Sequence, residues 1–183
     1  MLIGRNVLRE LILEIDFPLD RARFLAPAAY RAPADGQVIP LKGGGGAPTV
    51  PVAIEGRPPV DLLLDTGASG WLALSETAAE QLGLLAAGRP VTRAQAVSLG
   101  GVRLDRVTQA AHVRVGDLSL QRVPVQIYAP ALRFGVPTGL LGAGALQGLR
   151  VAVDLGGRRL VLAPPSLRIV PEQSLGHGGS GRQ

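Results

Sequence analysis

Cysteine is absent from this chain of 183 residues. That excludes disulfides, thiolate metal sites and thiol nucleophiles together. Aromatic residues are only 3%, so the core that a 46% apolar content can bury must be aliphatic. Lysine occurs once, at Lys42, and the other basic residues are arginines. The net charge of +5 is spread over arginines that stand singly, apart from Arg158-Arg159, and no aromatic residues are interleaved with them. A nucleic-acid surface needs clustered charge and stacking platforms, so nucleic acid is not an expected partner. No run approaches the 18 apolar residues of a membrane-spanning helix. The first residues lack the basic region and apolar run of a signal peptide.

What is present divides at three composition breaks. Residues 43–47 are a glycine-rich linker, Pro164-Pro165 closes the last apolar strand pattern, and 166–183 is a tail whose Gly/Ser/polar end is expected to be disordered. The expected organisation is a first piece over 1–42, a central unit over 48–165, and the tail.

The central unit reads as strands and turns with little helix. Residues 49–54 and 60–64 are β-patterned around the Gly/Pro turn 55–59, which predicts a hairpin. A short strand is expected over 71–74. Ser75 then caps a helix that runs to Leu82 and closes at Gly83. Residues 113–115 and 118–128 flank a Gly116-Asp117 turn, and 149–155 and 159–162 flank Gly156-Gly157.

An internal repeat adds to this. Residues 2–27 align with 140–164 if one deletion is placed in the hairpin turn, so that Gly4 matches Gly142, Leu8 matches Leu146, Asp16 matches Asp154, and Ala26-Pro27 matches Ala163-Pro164. The chain therefore reads as the end of one unit followed by a complete second unit. It is expected to be the C-terminal part of a two-lobed protein, its 1–42 piece a remnant with a short helix and a β-hairpin. The compartment stays open on this reading, because a leader would be lost with the first lobe, and an extracytoplasmic location is compatible with it.

One segment concentrates chemistry. Asp65 ends the apolar run Leu62-Leu63-Leu64 and opens Asp65-Thr66-Gly67-Ala68-Ser69. A carboxylate beside a core is costly unless hydrogen-bonded. The turn offers two hydroxyls and the backbone N–H groups of Gly67 and Ala68, with Gly67 allowing close approach. This pattern suits a carboxylate held in one orientation and used as a general base on water.

The Asp-Thr-Gly-Ala-Ser run, followed in order by Leu140-Leu141-Gly142-Ala143-Gly144-Ala145-Leu146, resembles the retropepsin-like, pepsin-type aspartic proteases. The resemblance covers 48–164 as a full lobe and 1–27 as the end of another. It implies a mostly β fold, a closed β-barrel with one or two short helices. It makes Asp65 catalytic and Thr66, Gly67, Ala68 and Ser69 the supporting loop, with Thr66 bonding across a lobe interface and Ser69 bonding the outer oxygen of Asp65. Leu141 and Gly142 would pack beneath that loop, and Leu99, Gly100 and Gly101 fall where the family has its flap. The implied activity is hydrolysis of peptide bonds by Asp-activated water, on a peptide or protein substrate, with no cofactor.

Such chemistry needs two carboxyl groups sharing one proton, because an isolated carboxyl group is ionised at neutral pH and cannot donate. Asp-Thr-Gly occurs once here. The second carboxylate is therefore expected from a homodimer mate or from an upstream lobe. The alternative is a protease-like lobe that only binds or scaffolds. Asp16 and Asp154 lack a following hydroxyl and are expected to be turn residues, and Trp71 a core or pocket-wall residue. His112 and His177 have no partner at ligand spacing, so no metal site is expected. Ser69 lacks the elbow pattern of a serine nucleophile, and the Gly43–Gly46 run lacks the Gly-Lys-Ser/Thr of a phosphate loop.

Overall fold

The computed structural model describes residues 5–43, 47–98, 101–128 and 138–165. Leu2 to Gly4, the linker residues 44–46, Leu99, Gly100, the tail from 166 and with it His177 lie outside the described residues.

Mostly strand, the described residues build two sheets. The larger begins with β4 (Thr49–Ile54) and β5 (Val60–Asp65), the expected antiparallel hairpin. Val50, Val52 and Ile54 alternate inward on β4, and Leu62 and Leu64 do so on β5. The other strands are β6 (Leu72–Ser75), β7 (Thr92–Ser98), β8 (Gly101–Val115), β9 (Leu118–Tyr128) and β10 (Gly139–Gly142). The order is β4-β5-β10-β6-β9-β8-β7, and β8 also pairs with β4. Six strands thus close into a barrel, and β7 lies outside it as the second arm of the β7–β8 hairpin. The interior is aliphatic, as the scarcity of aromatics requires, with Leu74, Val113, Val115, Val123, Val125 and Leu141 among its buried residues.

Local signals set the connections. Gly116 takes the left-handed φ of +58° at the first position of the two-residue β8–β9 turn, where glycine is favoured. A helix, α2 (Glu76–Gln81), starts at Ser75, whose Oγ accepts from the Ala78 N–H at 3.2 Å, and Gly83 follows its end with φ +73°.

The second sheet draws on both ends of the chain. After the one-turn helix α1 (Arg5–Leu8) come β1 (Ile12–Asp16), β2 (Arg21–Leu25) and β3 (Gln37–Pro40), and after the barrel come β11 (Arg150–Asp154) and β12 (Arg159–Ala163). Their order is β2-β1-β11-β12-β3. One face of this sheet packs on the barrel core through Val151, Val153, Leu160, Leu162, Ile39 and Leu41. The opposite face gathers Ile12, Ala152, Val161 and Tyr30, with Leu25 partly buried beside them.

The sheet shows the repeat as geometry and corrects its alignment. Arg5–Leu8 corresponds to the 3-10 turn Ala143–Leu146, Ile12–Asp16 to Arg150–Asp154, and Arg21–Leu25 to Arg159–Ala163, a constant offset of 138. The turn between the strands has four residues in both copies, and its last residue is left-handed in both, Asp20 at φ 49° and Arg158 at φ 52°. No deletion lies in the hairpin turn. Matching the two Ala-Pro pairs misplaced it, and the length difference falls beyond the second strand. Asp16 and Asp154 are turn residues, as expected: Asp16 Oδ1 accepts from the Leu19 N–H at 3.3 Å, and Asp154 Oδ1 from the Gly157 N–H at 2.6 Å.

β1 and β11 pair antiparallel with Leu13 opposite Val153, Glu14 opposite Ala152 and Ile15 opposite Val151. By the offset of 138, Ala152 is the counterpart of Glu14. The pairing register is therefore symmetric about the Glu14–Ala152 pair, and a local two-fold axis passes between the two hairpins.

Candidate active site

Asp65 is the last residue of β5. Because side chains alternate on a strand and Leu64 is buried in the barrel, the Asp65 carboxylate lies on the opposite face, half-buried. Among the described residues it receives one hydrogen bond, from the Gly67 N–H to Oδ1 at 2.9 Å. The turn closes with the Ala68 N–H on the Asp65 carbonyl at 3.3 Å. A Cβ on Gly67 would sit 3.3 Å from Oδ1, a tight fit, so a bare glycine suits the bond.

Thr66 and Ser69 are exposed. The Ser69 hydroxyl, expected on the outer carboxylate oxygen, makes no hydrogen bond to Asp65 among the described residues. It sits two residues beyond the Gly67 N–H that takes up Oδ1.

Support comes from β10. It runs parallel to β5 with Gly142 opposite Asp65, so the two strands deliver both motifs to the same end of the barrel. Leu141 is fully buried in the core beneath. The Gly142 N–H donates to the Trp71 carbonyl at 2.9 Å. A Cβ on Gly142 would lie 2.2 Å from the Gly70 carbonyl oxygen and 2.8 Å from that of Ala68. The turn carrying Asp65 thus rests directly on the backbone of Gly142, and only glycine allows that approach.

Two neighbours escaped the sequence reading. The Ala143 N–H donates to the Ala68 carbonyl at 2.8 Å and the Gly144 N–H to the Gly70 carbonyl at 3.0 Å. A Cβ on Gly144 would meet the Ser69 carbonyl oxygen and Trp71 Cδ1, each at 2.8 Å. The signal was the second glycine of Gly142-Ala143-Gly144. Trp71 is partly buried against the core.

The β7–β8 hairpin pairs from Thr92 opposite Val107 to Ser98 opposite Gly101. Of the expected flap residues, Gly101 opens β8 with φ +105° and is exposed, while Leu99 and Gly100 are outside the described residues. Val102 and Leu104 alternate on one face of this arm and are 65% and 60% exposed. Among the described residues no group of three His, Asp or Glu side chains is arranged to hold a metal ion.

No curated protein matches the chain in sequence. A family model described as aspartyl protease matches residues 50–145, just over half of the chain. That span holds β5 with its Asp-Thr-Gly turn and the glycine motif that braces it, and the chain belongs to the aspartyl protease family.

Proposed function

We propose that this chain is the Asp65-bearing lobe of an endopeptidase that hydrolyses peptide bonds through an activated water, and that it acts together with a second carboxylate from another lobe. The observation that carries the reading is the Asp65 carboxylate itself: half-buried at a strand end, oriented by one backbone N–H, on a turn braced by three hydrogen bonds from Gly142, Ala143 and Gly144. General-base catalysis depends on such fixed orientation before charge moves.

In the proposed reaction one carboxyl of the pair is ionised and the other protonated, since two like charges about 3 Å apart do not both ionise. The ionised group takes a proton from water as the water oxygen attacks the scissile carbonyl carbon. The protonated group gives its proton to the carbonyl oxygen. Collapse of the tetrahedral diol breaks the C–N bond: the proton first taken from water passes to the leaving nitrogen, and a diol hydroxyl proton returns to the other carboxylate. Thr66, exposed beside the site, is assigned to the contact with the second lobe. The β7–β8 hairpin, with apolar Val102 and Leu104 on one face, is assigned to covering a bound peptide. Substrate preference is set by pocket walls from both lobes.

The test is Asp65→Asn in the assembly that contains both carboxylates, assayed on a mixed peptide substrate across acid pH. Cleavage should fall by on the order of 10²–10⁴-fold with the thermal unfolding temperature nearly unchanged. The single Asp-Thr-Gly of the chain favours a second reading, a lobe that binds without cleaving. Peptide binding with no cleavage, indifferent to Asp65→Asn, would establish that reading instead.

A further inference from the structure

At the end of the barrel away from Asp65 lies a cavity of about 260 Å³. Val60, which opens β5, and Thr138, which precedes β10, both line it. The other ends of these two strands carry Asp65 and Gly142. Five residue steps along β5 put about 17 Å between the cavity and the carboxylate, so the cavity is separate from the candidate active site.

Its walls are apolar and its mouth is polar. Ala78 and Leu82, each 6% exposed, stand one helical turn apart on α2 and its C-cap. Pro58 and Pro59 form a second wall. Two adjacent prolines have fixed φ and no backbone N–H, so this wall is stiff and offers no donor. Rigid apolar walls with a few convergent polar groups are the usual make-up of a small-molecule site. The polar side chains here are Arg57, Gln81 and Thr138. A Cβ on Gly83 would lie 4.0 Å from Arg57 Nη2, which places the guanidinium beside the end of α2. Among the described residues the Arg57 side chain makes no hydrogen bond and no ion pair. Glu55, two residues before it, is taken by Arg89 at 3.0 Å, and Glu76 on α2 is taken by Arg106.

The geometry points to a binding site for a small aliphatic monocarboxylate, with its carboxylate on Arg57 and its chain between the two prolines and the Ala78–Leu82 face. A planar group with two oxygens matches the guanidinium fork, and its single negative charge matches one arginine. Gln81 and Thr138 supply further donors at the same mouth. Taking the roughly 30 Å³ share of one water for each non-hydrogen atom, the cavity holds about nine, the size of a six- to eight-carbon acid. Asp65 takes no part, so the site stands whether or not the chain cleaves peptides.

The test is titration of the isotope-labelled 183-residue chain with hexanoate at neutral pH, read in amide correlation spectra. The amides of Arg57, Val60, Ala78 and Leu82 should shift and saturate, with a dissociation constant on the order of 0.1–1 mM, while those of Gly67 and Gly142 stay in place. Arg57→Gln should weaken binding by about tenfold or more, and so should replacing hexanoate by hexanamide, which keeps the chain and loses the charge. Gln81→Trp, at an exposed position on the mouth, should abolish the shifts while the rest of the spectrum stays that of the folded protein. The inference is overturned if hexanoate gives no saturable shift at these amides. It is overturned as well if hexanamide, or the Arg57→Gln protein, binds as tightly as the original pair, because the cavity is then an apolar hollow without an anion site. Tighter binding of acetyl-alanyl-leucine than of hexanoate also overturns it, since the occupant is then the end of a peptide chain.

Discussion

The hairpins β1–β2 and β11–β12 share strand lengths, a four-residue turn, a left-handed fourth turn residue and an aspartate bonding the N–H three residues on. They differ in burial. β12 is buried at four of its five positions, and β2 is exposed at four of five. Equal backbones with unequal cover show that the hairpin geometry is set locally, by turn length and the capping aspartate, while the energy that holds each hairpin comes from what lies on its apolar face.

The largest expected effect separates the two faces. Leu162→Ala should cost about 2–5 kcal/mol, because a side chain 5% exposed leaves a cavity in the shared core. Its counterpart Phe24→Ala should change stability by less than about 0.5 kcal/mol in the 183-residue chain. Urea unfolding of both variants checks the pair. Equal losses would mean that the first hairpin's face is as well covered as the second, and the comparison would fall.

The capping aspartates sharpen it next. Asp154 holds the Gly157 N–H at 2.6 Å and the Arg159 Nε–H at 2.8 Å, whereas Asp16 holds the Leu19 N–H at 3.3 Å. Asp154→Ala removes the buried carboxylate that holds both the Gly157 N–H and the Arg159 guanidinium and should cost about 1.5–3 kcal/mol; Asp16→Ala should cost about 1 kcal/mol. Gly157 explains the tighter bond, since its counterpart is Leu19 and a Cβ on Gly157 would lie 2.4 Å from Asp154 Oδ2. Gly157→Ala should therefore displace the Asp154 carboxylate and destabilise by about 1–2 kcal/mol, measured in the same unfolding experiment. A neutral result would show that the carboxylate swings aside freely.

Much of this could be read from residues. The β4–β5 hairpin was legible because Val50, Val52 and Ile54 alternate and Gly56 and two prolines punctuate the turn. The helix α2 was legible from Ser75, and the residues of the candidate site from the Asp65 turn and the Gly142 motif. β3, β7 and most of β8 were not. Residues 92–95 are exposed throughout, so β7 lacks the apolar alternation that marks a half-buried strand. The repeat was legible but its register was not, because Asp20 and Arg158 hold left-handed positions where glycine would have flagged the turn. Gly144 went unread because the approach of Ser69 and Trp71 to it is a tertiary fact.

The smallest effect lies where the two hairpins meet. Tyr30 packs on Ile12 of one and Ala152 and Val161 of the other, with Leu25 alongside. Burial raises its phenol pKa above the ordinary 10.0, and the Glu14 carboxylate adds to the rise. Arg159, whose guanidinium lies 6.0 Å from the ring centroid, and Arg150 oppose it, and Asp154 adds a little to the rise. A group whose pKa is raised on folding stabilises the fold below its unfolded value and loses that contribution as pH climbs through the folded value. The chain should therefore lose stability above about pH 10 through this residue, and Tyr30→Phe should remove that part of the loss. The phenolate absorbance difference between the two proteins isolates Tyr30, and Glu14→Gln should bring its titration to lower pH by removing the one nearby negative charge that the first hairpin contributes and the second, with Ala152 in that place, does not.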